Sequence, residues 1–224
     1  QTLQLGAARK VRFATMKNRY SYRYGRSIPN PFLLPESALN FDLNYSGSFR
    51  KNLLLNASLY YSHLNDVIQQ VFGVDPENSS VYQFQNAGKA AFYGFDFNSQ
   101  YAIYKYLSLG LQYNYIQRKN LSNPDLLFID VPDHKVNLFL SYENPGKYLV
   151  FLNSVYNSQR VSTSTGDYVT DPFFILNLKA SVNFLKYFSL EGGVHNIFDT
   201  NYSYSEGYPS EGRSFLFTLR YQLK

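Results

Sequence analysis

Apolar and polar side chains alternate along the C-terminal run of the chain. Apolar residues occupy every second position, and the residues between them, except Leu216, are polar. The two sets are Phe215, Phe217, Leu219, Tyr221 and Leu223 against Ser214, Thr218, Arg220, Gln222 and Lys224. Because successive side chains of an extended chain point to opposite faces, this run is predicted to be a β-strand with one apolar face. Roughly 9–11 such residues cross the hydrocarbon layer of a membrane.

The same alternation recurs along the chain and predicts about ten long strands. The nine runs before the closing one are Thr2–Lys10, Ala38–Phe49, Leu53–Phe72, Val81–Ile103, Tyr106–Gln117, Asp133–Tyr142, Tyr148–Arg160, Pro172–Leu185 and Tyr187–Phe198. The clearest of these runs are too strictly two-periodic for an amphipathic helix. The chain is therefore predicted to be all-β.

Short and long connections alternate between the predicted strands. The short ones are Arg50–Asn52, Tyr104–Lys105, Glu143–Lys147 and the neighbourhood of Lys186. The long ones are Val11–Ser37, Gly73–Ser80, Arg118–Pro132, Val161–Asp171 and Asp199–Gly212. This alternation is typical of outer-membrane barrels, which have tight periplasmic turns and longer external loops. We therefore expect a segment of an antiparallel transmembrane β-barrel, with all five long loops outside.

A soluble lipophile-binding barrel also alternates, with its apolar face inside, and stays an alternative. Three features favour the membrane: strands longer than usual, a polar face rich in Asn, Ser, Gln and Gly, and tyrosines near strand ends. Those tyrosines are Tyr60, Tyr61, Tyr104, Tyr106, Tyr113, Tyr115, Tyr142, Tyr148 and Tyr187.

Composition narrows the possible functions. The chain has 22 Tyr and 19 Phe but no Trp and no Cys, which excludes a disulfide framework and a Cys-based metal site. The net charge of +5 is spread along the chain, whereas nucleic-acid binding needs a denser basic patch. No residue pattern calls for a cofactor. No N-terminal signal segment is present, so we expect a mature chain or a fragment.

Five segments, in family order, resemble the TonB-dependent outer-membrane receptors. They are Arg12–Thr15 (RFAT) with Asn30–Glu36 (NPFLLPE), Asn86–Ala90 (NAGKA) followed by Tyr93–Asp96 (YGFD), Val131–Asn137 (VPDHKVN), Asn196–Tyr202 (NIFDTNY), and Gly207–Pro209 (GYP) with Gly212–Phe215 (GRSF). The resemblance implies that residues 1–224 are the C-terminal part of a barrel of about 22 strands, without the plug domain or the TonB box.

The resemblance also implies a function without covalent chemistry. The receptor would bind a scarce nutrient, such as a ferric siderophore or another metal chelate, and import it with TonB-coupled energy. Its expected partners are outer-membrane lipid, lipopolysaccharide and, through the missing N-terminal part, the TonB complex. The alternative is a self-contained ten-stranded outer-membrane barrel, enzymatic or structural, with lumen carboxylates such as Asp42, Asp96 and Glu191.

The first and last long loops contain the candidate ligand-binding residues. Arginines and tyrosines interleave in the first loop, a pattern that suits an anionic aromatic ligand through charge-assisted hydrogen bonds and stacking. The candidates are Arg19, Tyr20, Tyr22, Arg23, Tyr24 and Arg26, with Tyr202 and Tyr204 in the last loop. The arginines could instead pair with lipopolysaccharide phosphates. The three histidines, His63, His134 and His195, are far apart and predict no metal site.

Overall fold

The computed structural model describes residues 1–86, 88–184 and 187–222. The described chain is almost entirely β-structure, with a single short α-helix, α1 (Met16–Tyr20), and one 3₁₀ turn at Arg23–Gly25. The seventeen strands are β1 (Thr2–Arg12), β2 (Ser27–Ile28), β3 (Glu36–Phe49), β4 (Leu53–Asn65), β5 (Ile68–Phe72), β6 (Tyr82–Asn86), β7 (Ala90–Tyr104), β8 (Leu107–Asn120), β9 (His134–Asn144), β10 (Tyr148–Asn157), β11 (Arg160–Val161), β12 (Val169–Thr170), β13 (Phe173–Phe184), β14 (Phe188–His195), β15 (Ser203–Ser205), β16 (Tyr208–Pro209) and β17 (Ser214–Tyr221).

Ten of these strands form one antiparallel sheet in the order β1-β3-β4-β7-β8-β9-β10-β13-β14-β17. Each strand pairs with the next strand of the sheet in chain order, as expected for a barrel wall, and β1 and β17 lie at its two edges. Short turns join the strands at one end, here named the short-turn end. The other end, the long-loop end, contains the remaining seven strands in three small sheets. This arrangement confirms the predicted fold class.

The register keeps the apolar positions of all ten strands on one face. Leu43 pairs with Leu5 on one side and with Leu59 on the other, and Leu59 pairs in turn with Phe95. Protein does not cover this face: Leu59 is 53% exposed and Leu138 is 44% exposed. A continuous apolar surface of this size needs a nonaqueous environment, so the predicted orientation with apolar side chains outward is the stable one in a bilayer.

Aromatic side chains lie toward both ends of the apolar face. On the long-loop side they are Phe41, Tyr61, Tyr93, Tyr115, Tyr156 and Phe174, and on the short-turn side Phe49, Tyr101, Tyr142, Tyr148, Phe188 and Tyr221. Tyr60 departs from the prediction, because it pairs with Asp42 on the polar face. The two bands match the aromatic girdles of a membrane barrel.

The opposite face is a ladder of hydrogen-bonded amides, hydroxyls and carboxylates. Ser58 donates to Asn44 at 2.6 Å, and Asn44 donates to Asp42 at 2.7 Å. Asn114 donates to Asp96 at 2.7 Å, and Glu191 forms an ion pair with Lys179 at 2.9 Å. Each carboxylate of the predicted lumen thus has an amide or ammonium partner, as a polar lumen requires.

Four predicted strands are wrong in their bounds, because the alternation continues through residues that break the strand. The run Leu53–Phe72 is two strands, since the chain turns at Asp66 with φ of 55° before β5 begins. Val81–Ile103 is likewise divided into β6 and β7, with Gly88 at φ of 88° between them. Tyr148–Arg160 ends as a sheet strand at Asn157, and Tyr187–Phe198 ends at His195, before Asn196 at φ of 50°.

These breaks lengthen the loops. The predicted connection Gly73–Ser80 is only the tip of a longer β5–β6 hairpin. The strands β8 and β9 also shift, since β8 continues to Asn120 and β9 begins at His134. The predicted strand end at Leu185, the turn at Lys186 and the final residues Leu223 and Lys224 lie outside the described residues.

Most fully buried side chains lie at the long-loop end. One group comprises Leu33, Val67, Ile68, Val81, Tyr82, Ala90 and Ala91, and another comprises Phe173, Ile175 and Tyr202. These two buried groups hold the loops in place above the sheet. No helix within the described residues has the length and apolar content to cross a bilayer.

We predict that the two faces of β9 respond oppositely to charge. Replacing Leu138 on the apolar face by Arg in the full-length protein should destabilise the barrel by about 2–4 kcal/mol, because the guanidinium enters hydrocarbon. Its neighbour Asn137 faces the polar side, and Asn137→Arg should cost little. Urea unfolding in lipid vesicles measures both. Equal destabilisation by the two variants would contradict the assignment of the faces.

Candidate functional site

Five long loops meet at the long-loop end of the sheet. They are L1 (13–35), L2 (66–89), L3 (121–133), L4 (158–172) and L5 (196–213). Each loop bonds to the next one in chain order, so the loops form a continuous collar, here named the loop collar. The contacts between the loops run in order from L1 to L5.

L1 and L2 share a small sheet in which β6 lies between β2 and β5. The Asn30 amide donates to the Phe84 carbonyl at 2.9 Å, and Asn86 exchanges hydrogen bonds with the backbone of Leu34 at 2.9 and 3.0 Å. L2 joins L3 through Asn120, whose amide donates to Gln69 at 3.3 Å, and through the Leu121 amide, which donates to the Lys89 carbonyl at 2.8 Å. The three loops L1, L2 and L3, which are separate in sequence, are therefore one structural unit.

Arg118 organises L3 from the polar face of β8. Its guanidinium donates to the carbonyls of Phe128, Ile129 and Val131 at 3.1–3.2 Å. The Phe128 ring also lies edge-on to Phe92, with ring centroids 4.9 Å apart. Since Phe92 and Arg118 both stand on the polar face, L3 folds inward over the predicted lumen.

Arg160 joins L4 to L5. It is 4% exposed, donates to the Tyr204 carbonyl at 2.8 Å and lies 5.6 Å from the ring centroids of both Phe173 and Tyr204. Burial lowers the pKa of the Arg160 guanidinium. L3 and L4 meet through backbone bonds, from Leu127 to the Ser164 carbonyl and from Asp130 to the Val161 carbonyl.

The predicted ligand residues of L1 divide into two groups. Arg19 serves the loop itself, since it donates to the Leu33 carbonyl at 2.9 Å, and Arg23 donates to the Tyr82 hydroxyl at 3.2 Å. The others present their side chains to solvent: Tyr20, Tyr22, Tyr24 and Arg26, of which Tyr24 is fully exposed.

The two predicted residues of L5 differ from each other. Tyr202 is buried against Phe173 at 4.7 Å, its hydroxyl lies 3.2 Å from His195 Nε2, and burial raises the pKa of its phenol. Tyr204 is 49% exposed. The hydrogen bonds of L1 lead to L2, whereas the Arg160 contact leads L5 to L4, so the two predicted groups belong to opposite ends of the collar.

An uncharged pocket of about 570 Å³ lies between L2, L3 and L4. Its apolar part comprises Ile68, Phe72, Phe84, Leu126, Leu127, Phe128 and Ile129, and its polar part Gln69, Gln70, Ser79, Ser162, Thr163, Ser164 and Thr165. An apolar pocket with a few convergent hydroxyls and amides is suited to an uncharged aromatic or aliphatic group.

Sequence reasoning missed this pocket as well as Arg118 and Arg160. The pocket residues come from three loops and carry no charge or repeated aromatic pattern, so the sequence contains no signal that would group them. Among the described residues, no cluster of three or more His, Asp or Glu could hold a metal ion. His134 instead stacks on Tyr115, with ring centroids 5.0 Å apart.

A lipid-facing antiparallel sheet with long inward-folding loops at one end defines a class of protein, the outer-membrane barrels. The sequence matches the family described as "TonB dependent receptor-like, beta-barrel" over residues 1–197. The chain therefore belongs to the TonB-dependent receptor family. Family membership confirms the predicted fold and outer-membrane location, and the family contains transport receptors rather than enzymes.

Relatives and solved structures agree with this family. The iron-regulated outer membrane virulence protein of Vibrio cholerae is 20% identical over 206 residues, which is 85% of this chain and 32% of that protein. The copper transporter OprC superposes with a TM-score of 0.80 at 19% identity, over 98% of this chain and 38% of OprC. The ferric enterobactin receptor PfeA of Pseudomonas aeruginosa gives 0.77 at 19% identity, over 98% and 38%. The chain thus spans about a third of the length of these proteins.

We predict that Arg118 holds L3 in place. Replacing it by Met in the full-length protein leaves three carbonyls without their donor, which should weaken the loop by about 2–3 kcal/mol. Amide hydrogen exchange in residues 121–133 should then accelerate roughly 30- to 150-fold. Lys119→Met, at the neighbouring exposed position, is the control and should leave the exchange unchanged. Unchanged exchange in Arg118→Met would show that L3 is held by other contacts.

Proposed function

We propose that residues 1–224 are the C-terminal part of the barrel of an outer-membrane active-transport receptor. The receptor captures a scarce nutrient, such as a ferric siderophore, at its external loops and imports it with energy from the TonB complex. The TonB complex would act through an N-terminal part of the receptor that is not in this sequence. Chemistry is limited to selective binding and release.

The loop collar is the observation that carries this proposal. A barrel whose only task is structural has no need of five laterally bonded loops, three of which line a pocket of about 570 Å³. The names of the relatives point the same way: two of the structures named here are described as a copper transporter and a ferric enterobactin receptor. Each of those names concerns a metal or a metal chelate.

We assign two parts of the ligand to two parts of the collar. The uncharged pocket takes an apolar or aromatic group, while exposed side chains of L1 receive anionic oxygen atoms. Arg26 is the strongest candidate for the latter, with Tyr20, Tyr22 and Tyr24 beside it as stacking surfaces. Arg23 can contribute from its bond to Tyr82, whereas Arg19 is already bound to the Leu33 carbonyl. Tyr204 completes the collar on the L5 side.

Lipid is the other proposed partner. The apolar face and its aromatic bands contact acyl chains, and basic residues of L1, including Lys17, lie where lipopolysaccharide phosphates would surround an outer-membrane protein. Arg23 and Arg26 of L1 can thus bind either the ligand or the lipopolysaccharide. Uptake measurements on variants of L1 distinguish these two roles.

The native polypeptide should be about three times the 26 kDa of this chain, because the chain spans about a third of its relatives. An immunoblot of outer membranes with antibody against residues 1–224 measures this mass. The controls are outer membranes from a strain in which the gene is deleted and a blot developed without the antibody against residues 1–224. A single band at the mass of the chain itself would favour the self-contained ten-stranded barrel over the receptor.

Filling the pocket should impair uptake. Ser164→Trp places an indole in the pocket. A panel of siderophores is first screened for the ferric siderophore that the wild-type receptor uses. With that siderophore, growth of an iron-limited strain that depends on this receptor should fall at least tenfold in the variant. Glu77→Trp, at the exposed tip of the same collar, should leave growth unchanged. Wild-type growth of Ser164→Trp would exclude the pocket as the ligand site, while failure of every siderophore with the wild-type receptor would count against siderophore transport itself.

A further inference from the structure

Basic residues are concentrated at the short-turn end of the sheet. The turn between β3 and β4 contains Arg50 and Lys51, the β7–β8 turn contains Lys105, and the β9–β10 turn contains Lys147. The sequence of the fourth short connection contains Lys186. None of these connections contains an acidic residue, and the nearest one is Glu143, next to the last residue of β9. The four described residues among them, Arg50, Lys51, Lys105 and Lys147, form what is here named the basic rim.

The other end of the sheet has the opposite bias outside L1. Eleven of the 16 acidic residues of the chain lie in the long loops: Asp66, Asp75, Glu77, Asp125, Asp130, Asp133, Asp167, Asp171, Asp199, Glu206 and Glu211. The chain's net charge of +5 therefore conceals a separation of charge between the two ends. The basic residues at the short-turn end and the acidic residues in the long loops therefore each need an explanation.

The side chains of the basic rim are accessible to a ligand. Arg50, Lys51, Lys105 and Lys147 are all exposed. Within the described ranges, Arg50, Lys51 and Lys147 make no ion pair or side-chain hydrogen bond, and Lys105 lies 4.9 Å from the ring centroid of Tyr106. Ion pairs and hydrogen bonds within the fold thus do not account for the charges of Arg50, Lys51 and Lys147.

The β3–β4 turn keeps its two basic residues against backbone preference. The Asn52 amide donates to the Phe49 carbonyl at 3.2 Å and closes a β-turn within the connection Arg50–Asn52. Both central residues of this turn have positive φ, 48° for Arg50 and 61° for Lys51. Asn-Gly is the sequence that such a turn favours. The geometry of the turn therefore does not account for a charged pair at these two positions.

Aromatic residues place the basic rim at the edge of the hydrocarbon layer. Tyr142 and Tyr148 stack with ring centroids 5.6 Å apart, and Tyr221 closes the band on β17. Tyrosine rings mark the level of lipid headgroups, so the turns just beyond them lie among the headgroups of the periplasmic leaflet. The rim charges are within reach of phosphate groups at that level.

We propose that the basic rim binds the phosphates of anionic phospholipids, of the phosphatidylglycerol type, in the periplasmic leaflet. The β3–β4, β7–β8 and β9–β10 turns each present one or two flexible cationic side chains beside an aromatic ring that contacts the glycerol region. The shell of lipid around the short-turn end is thus enriched in anionic headgroups. This inference rests on the placement of the sheet in the membrane and is independent of the transported ligand.

Spin-labelled lipids test the proposal on the full-length receptor in phosphatidylcholine vesicles. Electron paramagnetic resonance measures the relative association of labelled phosphatidylglycerol and phosphatidylcholine with the protein. For the wild-type protein we expect a preference of about three- to fivefold for phosphatidylglycerol at low salt. Because the contact is electrostatic and close to water, the preference should approach one in roughly 1 M salt.

The rim variant combines Arg50→Asn, Lys51→Gly, Lys105→Gln and Lys147→Gln. The first two changes install the favoured turn sequence, so folding is not endangered there. The preference should fall close to one, and Arg50→Asn with Lys51→Gly alone should remove about half of it. The control, Lys10→Gln with Lys89→Gln, Lys119→Gln and Lys135→Gln, removes the same charge from the long-loop side and should keep the wild-type value.

Three results would overturn the proposal. These are a wild-type preference of one at low salt, an unchanged preference in the rim variant, and an equal loss in the control. Co-sedimentation with purified peptidoglycan that depends on the rim, without any lipid preference, would assign these charges to the cell wall instead. Heat-modifiable migration on gels verifies that each variant is a folded barrel.

Discussion

The backbone hydrogen bonds of the sheet are the constraint on which the rest of the structure depends. A strand in hydrocarbon has no water to bond its amides and carbonyls, so every strand needs a partner on each side. Nine antiparallel pairings, with one register shift between Ala102 and Tyr104 in the β7–β8 pair, satisfy eight of the ten sheet strands on both sides, and β1 and β17 on one side. Because the pairing is fixed, one apolar face and one polar face follow from the alternation, and the loops have to gather at the strand ends.

The sequence predicted the sheet well because its signal is local. Alternation with a period of two reports on a strand's two environments whatever the rest of the chain does, and the turn at Arg50–Asn52 follows directly from it. The failures occurred where a single backbone angle breaks an alternating run, as at Asp66 and Asn196. A left-handed residue does not disturb the pattern of side chains, so periodicity alone cannot detect it.

The loop collar was beyond the reach of the sequence for a different reason. Arg118 and Arg160 act by bonding carbonyls of other segments, and carbonyls are present at every residue. The uncharged pocket is lined by three loops that are far apart in the sequence. The prominent Arg/Tyr pattern of L1 was visible, but the structure divides it between residues that hold the loop, such as Arg19, and residues that face solvent, such as Tyr24.

The lateral bonding of the loops has a thermodynamic consequence. A flexible loop that closes around a ligand loses conformational entropy at that moment, and the loss reduces its affinity. In this collar the shared sheet of L1 and L2, the backbone bonds of L3 to L4 and the Arg160 contact of L4 to L5 have ordered the loops already. The collar is therefore preorganised: the loops are ordered during folding, so a ligand that binds at the collar would cause little further loss of loop entropy.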